Sequence, residues 1–172
     1  MKTVTISLTK YSDFLGRLIR GIDGSGYSHA SISIDGKEEI FYSFNYKGFA
    51  IEKPKKYWPK KKAPGTLHIR IQVRQREFER LKKEIDYFIA HRKDYKFSNW
   101  GIVLCVLGIP HKFDQYYFCS QFVAEVLKRS GVVKLNKPSS VYLPNHFRKI
   151  KNSKVKKAYV KAVLDYNVEA TK

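Results

Sequence analysis

Three segments of this sequence alternate apolar and polar residues with a period of two, which is the pattern of a β-strand with one polar face. They are Thr3–Leu8, Tyr27–Ile34 and Leu67–Val73. Because successive side chains of a strand point to opposite faces, His29 falls on the polar face of the second segment. The N-terminal half of the chain is therefore predicted to be rich in strands.

A turn signal follows the second of these strands. Asp35-Gly36 suits a two-residue hairpin turn, because both residues tolerate positive φ angles. The β-branched and aromatic residues from Glu39 to Phe44 then predict a returning strand. The two strands are expected to pair as an antiparallel hairpin.

Helical spacing of apolar residues replaces the alternation further along the chain, and capping residues mark where the helices begin and end. A short helix is predicted from Ser12 or Asp13 through Arg20, a second one contains Phe78 and ends near His91, and a buried third one covers Trp100–Leu107. The fourth predicted helix covers Ser120–Ser130, begins its first turn at Cys119 and is capped by Gly131. A short fifth helix begins with Pro144. The segment from Tyr159 to Val168 is left without an assigned type.

Length and composition predict one globular domain over residues 1–172, since the chain has 43% hydrophobic residues and leaves little over for a second core. The longest strongly apolar stretch, Gly101–Pro110, is about half of the ~20 residues that a membrane-spanning helix needs. Met1 runs directly into a predicted strand rather than a signal sequence, and only two cysteines occur. A cytoplasmic location is therefore expected.

The charge is strongly positive, with 34 Lys and Arg against 15 Asp and Glu and a formal net charge of +19. Lys53–Lys62 is predicted to be an exposed basic loop, and Arg148–Lys161 adds to the basic surface. Such a surface favours contact with anionic polymers or membranes. No zinc-ligand cluster or RNA-recognition signature is present, so no specific nucleic acid is expected. A non-catalytic basic binding module remains the alternative function.

Cys119 is the candidate nucleophile because it stands where a helix begins. The unpaired amides and positive dipole of a helix N-terminus stabilise a thiolate and can also receive an oxyanion. Cys105, in contrast, lies in the apolar run from Ile102 to Leu107 and is predicted to be a core residue. A nucleophilic cysteine, if there is one, is therefore Cys119.

A cysteine nucleophile needs a base within hydrogen-bond reach, and five histidines are available. His29 is the leading candidate because it starts a strand after a glycine-rich segment, at a sheet edge where a helix could dock. His146, behind Pro144-Asn145, is the main rival. The histidines are scattered and the cysteines are far apart, so neither a metal nor a cofactor is expected.

A third residue should orient the base, and the hairpin register decides which one is available. A two-residue turn places Tyr42 opposite His29, a one-residue bulge places Ser43 there, and a longer loop brings Asn45. No Asp or Glu is clearly placed for this role, and these three alternatives stay open.

Three blocks of the sequence, Tyr27–Ile34, Phe41–Phe44 and Tyr117–Leu127, resemble the circularly permuted papain-like amidases. These are relatives of the NlpC-type cell-wall peptidases and of the lecithin:retinol acyltransferase-like enzymes. The resemblance implies an α+β fold in which a small antiparallel sheet carries the base and packs against the helix that carries the nucleophile. The histidine strand precedes the cysteine helix in this group.

The same resemblance implies a cysteine hydrolase or acyltransferase that works through a thioester at Cys119, with His29 as its base. Ser43 is the most natural third residue on the strand after the base. The expected substrate is a small molecule, a peptide or an acyl compound.

Overall fold

The computed structural model describes residues 1–10, 26–54, 66–150, 155–160 and 164–165. The α+β class implied by the resemblance is confirmed in these residues. The elements in chain order are β1 (Lys2–Thr9), β2 (His29–Ser33), β3 (Phe41–Asn45), β4 (Gly48–Pro54), β5 (Thr66–Val73), α1 (Gln75–Ala90), β6 (Lys96–Phe97), α2 (Asn99–Val106), β7 (Tyr116–Tyr117), α3 (Cys119–Ser130), the 3₁₀ helices η1 (Ser139–Val141) and η2 (Pro144–Lys149), β8 (Val155–Val160) and β9 (Leu164–Asp165).

The main sheet of the described residues is antiparallel and has the strand order β8-β5-β1-β2-β3-β4-β9. Its central strands align apolar residues in rows, since Ile6 pairs with both Ile32 and Ile69. The neighbouring row is polar, because Ser7 pairs with Ser31 and His68. The period of two thus gives the sheet one apolar face and one polar face, as the alternation predicts.

Helices α1 and α3 cover the apolar face of the sheet. Leu81, Ile85 and Phe88 recur at helical spacing and form the buried stripe of α1. Phe88 meets Phe122 of α3 with ring centroids 5.0 Å apart and an edge-to-face geometry. Burial of each such ring contributes about 1.5–3 kcal/mol, so this aromatic contact holds α1 and α3 together.

Helix α3 begins and ends where the sequence predicts. Phe118 has extended backbone angles, φ −113° and ψ 164°, and Cys119 is the first helical residue. Gly131 ends the helix in the left-handed region, with φ 76°, and its amide reaches the carbonyl of Lys128 at 3.1 Å. The capping glycine therefore fixes the length of the helix that presents Cys119.

The connection between β2 and β3 is longer than the predicted two-residue turn. It spans residues 34–40, because the Asp35 carboxylate accepts hydrogen bonds from four successive backbone amides, those of residues 37–40, at 2.7–2.9 Å. Asp35 thus organises a wider loop rather than a turn corner. Consequently Tyr42 lies opposite Ile32, not opposite His29.

The helix predicted over Trp100–Leu107 is present, but the prediction that it is buried is wrong. Helix α2 forms there, but Trp100 is 73% exposed and Leu107 is 64% exposed. The buried side chains of α2 are those of Ile102 and Cys105, which pack against Phe118 and Leu143. An apolar run of this length buries only the stripe that meets the core, and the rest of α2 faces solvent.

Some predictions fall outside the described residues. These are the helix from Ser12 or Asp13 through Arg20 and most of the basic loop Lys53–Lys62, of which the first two residues end β4. The described part of the segment from Tyr159 to Val168 belongs to β8 and β9. None of the described helices is both long enough and apolar enough to cross a membrane.

Candidate active site

Cys119 stands at the N-terminus of α3 and is 6% exposed. Phe118, the residue before it, has no polar side-chain atom and caps none of the amides. The amides of the first helical turn have no acceptor within the helix, and they carry the positive end of its dipole. The thiol therefore lies beside hydrogen-bond donors that are available to an anion.

His29 connects the thiol to a carboxylate. Its Nε2 lies 2.8 Å from Oε1 of Glu52, and the ring also forms a side-chain hydrogen bond with Cys119. Since Nε2 faces the carboxylate, Nδ1 is the nitrogen left for the thiol. Cys119, His29 and Glu52 thus form a continuous run of nucleophile, base and orienting group.

The two elements that carry Cys119 and His29 meet because of the packing described above. Helix α3 lies on β2 and β3, and its first residue reaches the end of the sheet where β2 starts. His29 is the first residue of β2 and pairs with Thr9, the last residue of β1. The base therefore stands at the end of the strand, where its ring can reach a helix that packs on the opposite face.

The environment of His29 favours its charged form. Burial alone would lower the pKa of His29, but the negative charge of Glu52 and hydrogen bonds to Cys119 and Glu52 outweigh it and raise the pKa to about 10. At neutral pH the ring is therefore an imidazolium, with one N–H for the carboxylate and the other for the sulfur. This is the charge state of the base in a thiolate–imidazolium pair.

Glu52, which is not among the residues predicted for the role, lies where an orienting residue is needed. It is 0% exposed and belongs to β4, so its contact with His29 passes over the intervening strand β3. Among the described residues, its second oxygen, Oε2, has no hydrogen-bond partner. Burying a carboxylate with one oxygen unpaired is costly, so the imidazolium is what stabilises this charge.

Ser43 does not hold the position expected of it. It is fully buried on β3, but its hydroxyl donates to the carbonyl of Ala30 at 2.7 Å and not to the imidazole. It shares the polar face of β3 with Phe41, which pairs with Glu52. Tyr42 packs against the core, and Oδ1 of Asn45 accepts the amide of Lys47 at 2.8 Å.

The rival base and the second cysteine lie elsewhere. His146 accepts the backbone amide of Leu143 through Nδ1 at 2.9 Å, and its Nε2 is 3.2 Å from Nζ of Lys137. Cys105 is buried in the small apolar cluster under α2, together with Ile102.

A second buried histidine, His68, belongs to a separate ionic cluster on the polar face of the sheet. Its Nδ1 lies 2.9 Å from Oε2 of Glu38, which also accepts from Arg70 and Thr5. Burial lowers the pKa of His68, although Glu38 favours its charged form. His68 is therefore uncharged near neutral pH, in contrast to His29.

No His, Cys, Asp or Glu side chains of the described ranges gather in threes around a possible metal position. No protein-family model matches the chain, and no curated protein matches it either. The assignment of a function therefore depends on the geometry around Cys119.

Proposed function

We propose that this protein is a cysteine-dependent hydrolase or acyltransferase in which Cys119 is the nucleophile, His29 is the base and Glu52 orients His29. The observation that carries the proposal is the unbroken run of side-chain hydrogen bonds from the thiol through the imidazole to a buried carboxylate. Strongly perturbed groups paired in this way cluster at catalytic sites.

The reaction has two covalent steps. In the first, the Cys119 thiolate attacks an acyl carbonyl carbon and forms an S–C bond, while the carbonyl electrons move to oxygen. Collapse of this intermediate breaks the bond to the leaving group, which takes the proton of the His29 imidazolium. In the second, water or another nucleophile gives its proton to His29 and attacks the thioester, and the S–C bond breaks to return the thiolate.

The helix N-terminus supports the charged intermediate of both steps. The amides of residues 119–121 have no acceptor within α3 and no side-chain cap at Phe118. Donors that are already oriented toward a developing oxyanion typically contribute about 10²–10³ in rate. Nucleophile activation and oxyanion stabilisation thus come from one local structure.

A permuted papain-like fold is the finer structural inference that accompanies this function. The strand that carries His29 precedes the helix that carries Cys119, and an antiparallel sheet packs against that helix. This order and this layering are what the resemblance implies, and they support placing the chain in that superfamily.

Covalent labelling tests the proposal. The protein is treated with activated acyl esters of short and long chain and with thiol-directed peptide probes, and the intact mass is measured. Wild type and Cys105→Ala should gain one acyl group, whereas Cys119→Ala should gain none and His29→Ala should react about 10²–10⁴-fold more slowly. His146→Ala should behave as wild type.

Two results would contradict this assignment. Labelling that persists in Cys119→Ala excludes Cys119 as the nucleophile, and loss in His146→Ala but not in His29→Ala transfers the role of base to His146. If no probe labels the protein and it binds nucleic acid in a salt-dependent way, the non-catalytic basic module is the better interpretation.

The exposed side of α2 favours action on substrates held at an anionic membrane surface. Trp100, Val103 and Leu107 lie on one side of the helix and, with Ile109, form an exposed apolar ridge. The opposite side of α2 packs on Phe118, next to the nucleophile. Apolar side chains that enter a bilayer, together with a net charge of +19, are the two components of interfacial binding.

Co-sedimentation with vesicles tests this second proposal. Wild type should bind vesicles of phosphatidylcholine and phosphatidylserine but not vesicles of phosphatidylcholine alone. The ridge variant, which combines Trp100→Ser and Leu107→Ser, should bind about tenfold or more weakly. Tyr87→Ser, which removes an exposed aromatic ring from α1, is the matched control and should have no effect. Equal binding by the ridge variant and wild type would eliminate the ridge as the anchor.

A further inference from the structure

A basic cavity lies at the C-terminal end of α3, away from the candidate active site. It encloses about 370 Å³, and no Asp or Glu is among the described residues that line it. Its polar lining includes Lys134, Lys137, His146 and Lys149. We call it the α3-end pocket.

The α3-end pocket is separate from the Cys119 site. Val132 and Val133, which line it, follow the glycine that ends α3, whereas Cys119 begins the same helix. Helix α3 has 12 residues, which places its two ends ~18 Å apart at 1.5 Å per residue. A ligand in the pocket therefore does not touch the nucleophile.

Two hydrogen-bond donors meet inside this pocket. Nδ1 of His146 accepts the Leu143 amide at 2.9 Å, so it carries no hydrogen and the ring hydrogen is on Nε2. That Nε2 lies 3.2 Å from the ammonium of Lys137, which is also a donor. Two donors that lie this close together can both donate to a single acceptor placed between them.

The other residues that line the pocket indicate which kind of molecule would carry the acceptor. Ile71, Val133 and Tyr142 form an apolar wall beside the donors. Tyr142 is itself buried and packs its ring against that of His146, with centroids 5.3 Å apart. The cavity lining thus combines cationic side chains with apolar ones.

We propose that the α3-end pocket binds an anionic group, a phosphate or a carboxylate, carried on an apolar body. Lys137 and Nε2–H of His146 hold the anion jointly, and Lys134 and Lys149 supply the field that attracts it. A neighbouring cavity of about 440 Å³, lined by Arg148, Lys149 and Lys157, extends the basic surface on the side of Lys149. Binding of such an anion would account for part of the excess of positive charge in this protein.

Calorimetric titration of the full chain with octyl phosphate tests the proposal. Wild type should bind octyl phosphate more tightly than inorganic phosphate and should not bind the uncharged amphiphile octyl glucoside. Lys137→Gln should weaken octyl phosphate binding about tenfold or more, because it removes a charge-assisted hydrogen bond. Lys83→Gln, an exposed lysine change on α1, should leave the affinity unchanged.

The same titration is repeated on Cys119→Ala and with vesicles that contain phosphatidic acid. Unchanged affinity in Cys119→Ala is expected, since the pocket does not depend on the proposed catalytic function. Binding to vesicles that Lys137→Gln abolishes identifies a lipid headgroup as the source of the anion, whereas binding to octyl phosphate alone identifies a soluble ligand.

Several results overturn the proposal. They are the absence of octyl phosphate binding by wild type, equal affinity in Lys137→Gln, and binding of octyl glucoside as tight as that of octyl phosphate. Loss of affinity in Cys119→Ala would also do so, because the anion would then belong to the candidate active site. Unfolding temperatures of the ligand-free variants exclude misfolding as the cause of a loss.

Discussion

Replacing Glu52 by Gln isolates the charge of the orienting residue. Glutamine has nearly the same shape, and its Oε1 can still accept the hydrogen bond from Nε2 of His29. What disappears is the negative charge that stabilises the buried imidazolium. Burial, which by itself lowers the pKa of His29, is then offset by fewer groups, so the pKa should fall well below about 10.

The magnitude follows from the burial of the pair. Breaking a buried ion pair usually costs about 3–5 kcal/mol, and keeping the hydrogen bond reduces the expected loss in Glu52→Gln to about 2–3 kcal/mol. Because the folded-state pKa of His29 is raised, its stabilisation is full below pH 6.5 and disappears as the pH rises through about 10. The difference between wild type and variant should therefore shrink across that interval.

Two measurements check these expectations. Long-range proton–nitrogen NMR spectra follow the tautomer and charge of His29 as the pH is raised, and urea unfolding at several pH values gives the free energies of unfolding. Glu39→Gln is the matched control, since it removes one exposed negative charge from the loop before β3. Rates of acyl labelling at Cys119 should fall about a hundredfold or more in Glu52→Gln.

The reasoning is refuted if His29 of the wild type titrates near 6.5, because the carboxylate would then have no effect on its charge. It is refuted equally if Glu52→Gln leaves the pKa of His29 near 10. A stability loss that is the same at every pH would mean that the substitution disturbs packing rather than the ion pair.

Three other substitutions test the surroundings of the site. Ser43→Ala should cost about 1 kcal/mol and leave the pKa of His29 unchanged, whereas Ser43→Leu should displace Glu52 and lower that pKa, as NMR titration would show. Gly48→Ala should destabilise the β3–β4 turn by about 1–3 kcal/mol in urea unfolding, since φ is 104° and the added Cβ would lie 2.7 Å from a backbone oxygen. In Glu125→Gln the loss should be about 1–3 kcal/mol above pH 4.5 and should vanish on acidification. Burial raises the pKa of Glu125, but hydrogen bonds from Lys112 and other donors lower it overall.

Cys119 and the limits of α3 could be predicted because local signals determine them. Apolar residues at helical spacing and a glycine at the C-terminal cap specify a helix without reference to the rest of the chain. The burial of α2 could not be predicted in the same way. Its residues are apolar on every side, so periodicity does not tell which side meets Phe118 and which side is left exposed.

Glu52 was missed because its role depends on three strands at once. Gly48–Pro54 carries no strand prediction, and the hairpin signal at Asp35-Gly36 gives the wrong register for β3. In an antiparallel sheet, a shift in register changes which side chains face one another, and here the base is reached from β4 across β3. A Glu flanked by Ile51 and Lys53 looks like an ordinary residue of a surface strand.

One sequence signal bears on the contact between Glu52 and His29, and it is the small size of Ser43. Tyr42 and Phe44 point to the other face of β3, and on the polar face Ser43 stands next to Phe41, the residue that pairs with Glu52. A small side chain at this position obstructs less a carboxylate that crosses β3 from β4. Ser43 therefore contributes through its size rather than through its hydroxyl, which is bound to Ala30. A site built in this way carries a full negative charge beside the base, and the imidazolium that a serine alone could not stabilise becomes the resting state of His29.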